Sequence, residues 1–303
     1  MARLQIQSSS PFEIHHILTG LGKSPETVVE AELYLPEGEG PFGCIVALHG
    51  SRGWASHHQD PIDGWLYSGL AVCKINSFSS RSIISTVDDQ LSVTHAMMLV
   101  DAFSTRSVLA QDPRIGRIGI AGWSLGGTVA LYSAWSPIID ILGSAFDAHL
   151  PFYPAAHIRP VIQNWSKSII LILHVDIHDW TPLHLVVGLI PQLPNATLHV
   201  YPEAHHSFDS EKELTLLPKA VHLRKRTARI DKNGYMSGEL FLGIRLPLNE
   251  RWQRRLIIRI LRNRGAHVEG NPTARADSLV RAREFFVEQL SRRQTTIKNY
   301  LLE

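Results

Sequence analysis

The chain has 303 residues, 44% of them hydrophobic and 19% charged, with two cysteines and a net charge of +2. That composition is globular and excludes a disordered chain, and its length lets a sizeable core form without staples. No apolar run approaches the roughly 18 residues that cross a bilayer, and the opening "MARLQIQSSSPFEIHH" lacks the charged-then-apolar layout of a secretory signal, so a cytoplasmic protein without a membrane partner is expected.

In chain order, the β-branched apolar runs "VVEAELYL" (28–35), "CIVALH" (44–49), "LAVCKI" (70–75), "RIGIAG" (117–122), "SIILILH" (168–174) and "ATLHVY" (196–201) read as strands. Helical segments fall between them, at 86–110, 125–135 and 181–190, and the alternation predicts a doubly wound, mostly parallel sheet flanked by helices. Cys44 and Cys73 lie in two of the strands and read as buried free thiols. Residues 211–268 break the alternation and read as a basic insertion in a single domain. Between Lys219 and Arg264 there are thirteen Lys or Arg against three acids, Asp231, Glu239 and Glu250. No nucleic-acid module accompanies that charge, so nucleic acid is not expected as a partner, and the segment reads as a lid or as a contact between copies of the chain. Within it "TARIDKNGYMSGEL" predicts a hairpin, and "RWQRRLIIRILRNRGA" predicts a helix with Trp252, Leu256, Ile257, Ile260 and Leu261 on one stripe. After it, Asn271 as N-cap, Pro272 at the first helical position, and Leu279, Ala282, Phe286 and Leu290 at spacings of three and four predict a terminal helix.

The chemistry concentrates in "GIAGWSLGGTVALY", where a strand ends near Gly122 and a helix begins near Leu125, with Ser124 between glycines at offsets of minus and plus two. Such a turn lifts a serine Oγ above the sheet and aims the Leu125 N–H at a forming oxyanion. A second donor is expected from Ser51, in the "HGSRG" that ends an upstream strand, while His49 there reads as a structural histidine. Downstream, "YPEAHHSFD" puts His205 and His206 in a loop after the last strand of the alternation. A serine nucleophile needs a histidine base and a carboxylate to orient it, and the order serine, acid, histidine is that of an α/β-hydrolase.

The acid falls in "HVDIHDWTP" (174–182). Asp179, at the turn from strand to helix, is the favoured choice and Asp176 the alternative. A metal site made from His174, Asp176, His178 and Asp179 is set aside, because the serine, the oxyanion loop and the downstream histidine already make a hydrolase without one, and no cofactor is expected.

"GWSLGG", "HDWTP" and "YPEAHHSFD" together resemble the dienelactone hydrolase family. The resemblance, over about 25–210 and 265–292, implies an α/β-hydrolase fold, the base on His206, and, through "INSFSSRSI", a pocket-wall role for Arg81. Arg52, Trp123 and His178 join Arg81 as pocket residues. Three departures stand out: serine replaces the cysteine nucleophile of dienelactone hydrolase itself, the family's acid position aligns with His178, and the 211–268 segment is longer than the family requires. The resulting expectation is a serine hydrolase of a small-molecule ester or lactone. A serine peptidase or amidase, and a non-hydrolytic relative serving as a binding protein or cyclase-like catalyst, remain as alternatives.

Overall fold

The computed structural model describes residues 1–223, 226–239, 243–261 and 263–291, apart from the side chain of Leu261. Elements follow in the order β1 (Ala2–Ser9), α1 (Ile14–Gly20), β2 (Glu26–Tyr34), β3 (Phe42–Leu48), α2 (Gln59–Tyr67), β4 (Ala71–Asn76), α3 (His95–Leu109), β5 (Ile115–Trp123), α4 (Leu125–Tyr132) and α5 (Ser136–Leu142). After these come β6 (Ala148–Phe152), β7 (Ile158–Pro160), β8 (Ile169–Val175), α6 (Leu183–Val187) and β9 (Ala196–Tyr201).

All of these strands except β7 form one eight-stranded sheet in the order β1-β2-β4-β3-β5-β6-β8-β9. Pairing is parallel from β4 to β9 and antiparallel at the β1–β2 and β2–β4 edge. The central strands are apolar on both faces because helices cover both. Along β3, Cys44, Val46 and Leu48 point into the core that also holds α3 and α4, while Ile45 and Ala47 point into the core closed by Trp65 of α2 and by the terminal helix. Both cysteines are free and buried.

Helix α3 begins only at His95, although the periodic pattern starts nine residues earlier. Thr94 caps it by accepting the N–H of Met97, and Asp89 takes the N–H of Leu91 in a local turn, so the chain before Thr94 is held by side-chain bonds that compete with helix.

The 211–268 segment forms β10 (Thr215–His222), β11 (Ala228–Ile230), β12 (Met236–Glu239), β13 (Arg245–Pro247), α7 (Arg251–Leu261) and β14 (Asn263–Val268), after which α8 (Pro272–Leu290) returns to the sheet. Strands β11 and β12 are the predicted hairpin, and β11 runs parallel to β7. The α8 N-terminus is capped as the sequence indicates, with Asn271 Oδ1 accepting the Ala274 N–H at 3.0 Å.

Helix α7 forms as predicted but turns a different face inward. Trp252, Leu256 and Ile260 are exposed, Ile257 is buried, and Leu261's side chain lies outside the described residues. The cause is a charge: Glu13, fully buried and also bonded to the Ile14 N–H, forms an ion pair with Arg254 and meets His95 at 3.3 Å. Burial opposes ionisation of Glu13, but Arg254 and His95 outweigh it and hold the carboxyl at about 2. Replacing Arg254 with Met strands that charge, and chemical denaturation should then show a loss of about 3 kcal/mol, the low end for a buried pair because Arg254 keeps some solvent. An unchanged midpoint would show that α7 is held without it.

Candidate active site

Ser124 is the residue between β5 and α4, and its backbone is strained: φ is 53° and ψ −105°. The left-handed φ persists because the surroundings leave no alternative. A Cβ on Gly122 would sit 2.2 Å from the Gly126 carbonyl oxygen, and one on Gly126 would sit 2.4 Å from that of Leu48. The two glycines therefore let strand, turn and helix close onto one another, leaving Ser124 at the carboxyl end of the sheet with 9% exposure.

Two cavities meet at this serine. One, of about 190 Å³, is lined by Ser51, Ser124 and Leu125 and also by Met236, Leu248 and Ile257, so the insertion supplies much of its apolar wall. A second, of about 200 Å³, is lined by Ser51, Arg52, His57, Trp123, Ser124 and His206 among others. Ser51 and Leu125 line the first cavity together with Ser124. Arg52 is exposed at the second cavity. Trp123 forms its inner wall, fully buried and stacked on Phe152 at 5.1 Å, so it supports the turn from beneath.

His206 is carried by the loop after β9 and fixed by neighbours from three directions. Its ring lies 4.5 Å from Tyr153 and 4.9 Å from Trp180, and its carbonyl accepts the Glu269 N–H just beyond β14. Burial, with His174 adding to it, pushes its pKa down to about 3. Among the described residues no direct hydrogen bond joins it to Ser124 Oγ, but both line the second cavity.

The acid expectation is corrected. Neither aspartate touches His206. Asp179 turns outward to accept the backbone N–H of His267 at 3.1 Å and to pair with His267 Nδ1 at 2.9 Å, which fixes β14 beside the loop. Asp176 is exposed on the far side of the turn, where its N–H donates to the Tyr201 carbonyl. The partner of His206 Nδ1 is His178, whose Nε2 stands 2.9 Å away. His178 Nδ1 accepts N–H bonds from Trp180 (3.2 Å) and Thr181 (2.9 Å), and its Nε2 also lies 2.7 Å from Thr181 Oγ1. Burial, then the nearby His206 and His174, drive its pKa well below the ordinary histidine value.

Arg81 is a second correction. Its guanidinium is engaged by Asp101 at 2.8 and 3.0 Å, by Ser10 Oγ and by the Ser9 and Ser77 carbonyls, and it lines neither cavity. An arginine so saturated has no donor left for a substrate.

Sequence reasoning passed over Tyr153, Thr181 and Asp209. Asp209 is buried, accepts the Tyr153 hydroxyl at 2.9 Å and lies 3.9 Å from His57. Burial raises its pKa, against the lowering effect of His57. Its place three residues after His206 was the available signal. Among the described residues no three His, Cys, Asp or Glu side chains are grouped to hold a metal ion, and no helix is long and apolar enough to cross a membrane.

A family model described as the dienelactone hydrolase family matches residues 66–229, just over half of the chain and including Ser124, His178 and His206. No curated protein matches it. Among solved structures, a putative hydrolase from Agrobacterium vitis S4 is 11% identical with a TM-score of 0.50, over 69% of this chain and 93% of that one. A putative dienelactone hydrolase from Klebsiella pneumoniae is 20% identical with a TM-score of 0.49, over 69% and 89%. Est1E from Butyrivibrio proteoclasticus, solved with ferulic acid bound, is 18% identical with a TM-score of 0.49, over 59% and 88%. At 11% identity the likeness to the Agrobacterium vitis protein concerns the fold alone.

Proposed function

This chain belongs to the dienelactone hydrolase family and is a hydrolase of ester bonds, and we propose that it works through a seryl acyl-enzyme formed at Ser124. The observation that carries this reading is the strained Ser124 itself, held at the head of α4 where two cavities meet. Ser124 Oγ gives up its proton and bonds to the ester carbonyl carbon, the carbonyl oxygen takes the negative charge between the N–H groups of Ser51 and Leu125, and the bond to the ester oxygen breaks as the carbonyl re-forms, the departing alkoxide taking a proton to leave as the alcohol. Water then repeats the sequence to release the acid.

The cavity volumes narrow the substrate. The space lined by Met236, Leu248 and Ile257 suits an apolar acyl group of moderate length, and the second cavity, with Arg52 and Lys212 on its wall, suits the leaving group. A fluorophosphonate probe at pH 9.5 should label Ser124, identified by peptide mass mapping, and Ser124→Ala should take up none. Equal labelling of the variant would remove Ser124 from the mechanism. The pH is set high for a reason that lies in the histidine pair.

A further inference from the structure

A serine hydrolase base needs its proton on Nδ1 and a lone pair on Nε2, and the usual carboxylate enforces this by accepting the Nδ1–H. Here the group facing Nδ1 is another imidazole, so the outcome depends on which nitrogen of His178 carries hydrogen. The backbone answers that. N–H groups of Trp180 and Thr181 both point at His178 Nδ1, which must therefore present its lone pair. A neutral ring then carries its proton on Nε2, 2.9 Å from His206 Nδ1 and 2.7 Å from Thr181 Oγ1. Thr181 cannot reverse the polarity, because its hydroxyl donates to the Tyr153 carbonyl at 3.1 Å.

Facing a donor, His206 Nδ1 must accept. We infer that His178 is a positioning residue that holds His206 in its Nε2–H tautomer, so that the resting enzyme is a latent serine hydrolase whose histidine offers Ser124 a proton where a base offers a lone pair. The inference rests on Ser124 being the nucleophile.

Reaching the base-competent tautomer brings two hydrogens together. Either the Nδ1–H of His206 opposes the Nε2–H of His178, or His178 moves its proton to Nδ1 and opposes two backbone N–H groups. No negative charge relieves either arrangement. The groups packed around the pair are Tyr153 from the end of β6, Trp180 and Thr181 from the loop after β8, His174 from β8 itself, and Val268 from β14. His205 lies further off and faces Glu269 at 3.6 Å. Asp179 is committed to His267, and Asp209 to Tyr153 and His57. The same absence leaves an imidazolium on His206 without stabilisation. With the base withheld, the proton of Ser124 passes to solvent hydroxide, giving the alkoxide and water, and hydrolysis becomes proportional to hydroxide concentration.

The change that restores the family's acid is His178→Asp. A carboxylate there can accept the Trp180 and Thr181 N–H groups that Nδ1 now accepts, and the His206 Nδ1–H besides. Turnover of a p-nitrophenyl ester at pH 7.5 should rise on the order of 10²–10⁴-fold, bounded above by the roughly 10⁴ that a wrong histidine tautomer costs in a seryl triad. In the wild type, log kcat/KM should climb with unit slope from pH 7 to 9.5, whereas the variant should reach a plateau above about pH 7. A wild-type plateau with an equal or slower variant overturns the inference.

The tautomer is also read without any substrate. In ¹⁵N-histidine-labelled wild-type protein, long-range proton–nitrogen correlations should show His206 protonated on Nε2, and a proton on Nδ1 refutes the proposal whether or not His178→Asp folds. Absent labelling of Ser124 at pH 9.5 would instead refute the nucleophile, so the two failures are distinct.

Discussion

Taking this protein from pH 7.5 to pH 5 is expected to remove about 8 kcal/mol of stability through four histidines alone. His49, His149 and His174 are fully buried and held at about 4, and His206 is held at about 3, with burial the first cause in each. In the unfolded chain each titrates near 6.5, so between 6.5 and 4 the unfolded state binds protons that the native state refuses. A histidine with a depressed native pKa contributes no penalty above pH 6.5 and an increasing one below it, about 2 kcal/mol each at pH 5. Glu13 adds in the same direction below about pH 4.5, because its native value lies near 2. Asp209, raised by burial, works the other way, but it is a single group. Typical domains hold 5–15 kcal/mol in all. Circular dichroism should therefore show cooperative acid unfolding with a midpoint between about pH 4 and 5.5. A native spectrum at pH 3.5 would mean that these rings charge in place.

The second large effect separates two readings of Arg81. As a pocket residue, its loss would raise KM and leave the fold intact. As the partner of Asp101, which is fully buried on α3 and also accepts the Ser8 hydroxyl at 2.6 Å, its loss strands a carboxylate between α3 and β1. Arg81→Ala is expected to cost about 3–5 kcal/mol, visible as a fall in Tm, while KM for a small ester stays within about twofold. An unchanged Tm with a raised KM would return Arg81 to the substrate.

The elements most legible in the sequence were those specified locally. The buried parallel strands announce themselves as β-branched runs, the serine turn as glycines at fixed offsets, and α8 through its Asn271–Pro272 start. Strands β1 and β6 were missed for opposite reasons. "ARLQIQSS" is an edge strand with polar residues on its outer face, and "AHLPF" carries a proline and a histidine that its buried surroundings accommodate. In the site, Ser124 and His206 follow from chain order, but the partner of His206 does not. Residues 176, 178 and 179 differ by single steps along a turn, and which one faces a ring 28 positions away depends on how that turn is coiled. Asp179 was drawn outward by His267, a residue of the insertion that no local pattern connects to it. Nothing local marks Arg254 as a buried partner either, since Glu13 lies 241 positions before it.

The placement of β14 fixes when the site can exist during synthesis. The loop bearing His206 bridges to Val268, its carbonyl takes the Glu269 N–H, and the Phe208 carbonyl takes the Asn271 N–H. Once residues up to 210 have emerged, Ser124, His206 and every strand of the large sheet are available, but the β14 end that holds the histidine loop and the insertion residues that line the first cavity are not. Domains begin folding from the N-terminus as they emerge. Ser124 is therefore held in place before the histidine loop and the cavity wall are complete, and both wait for residues 211–271.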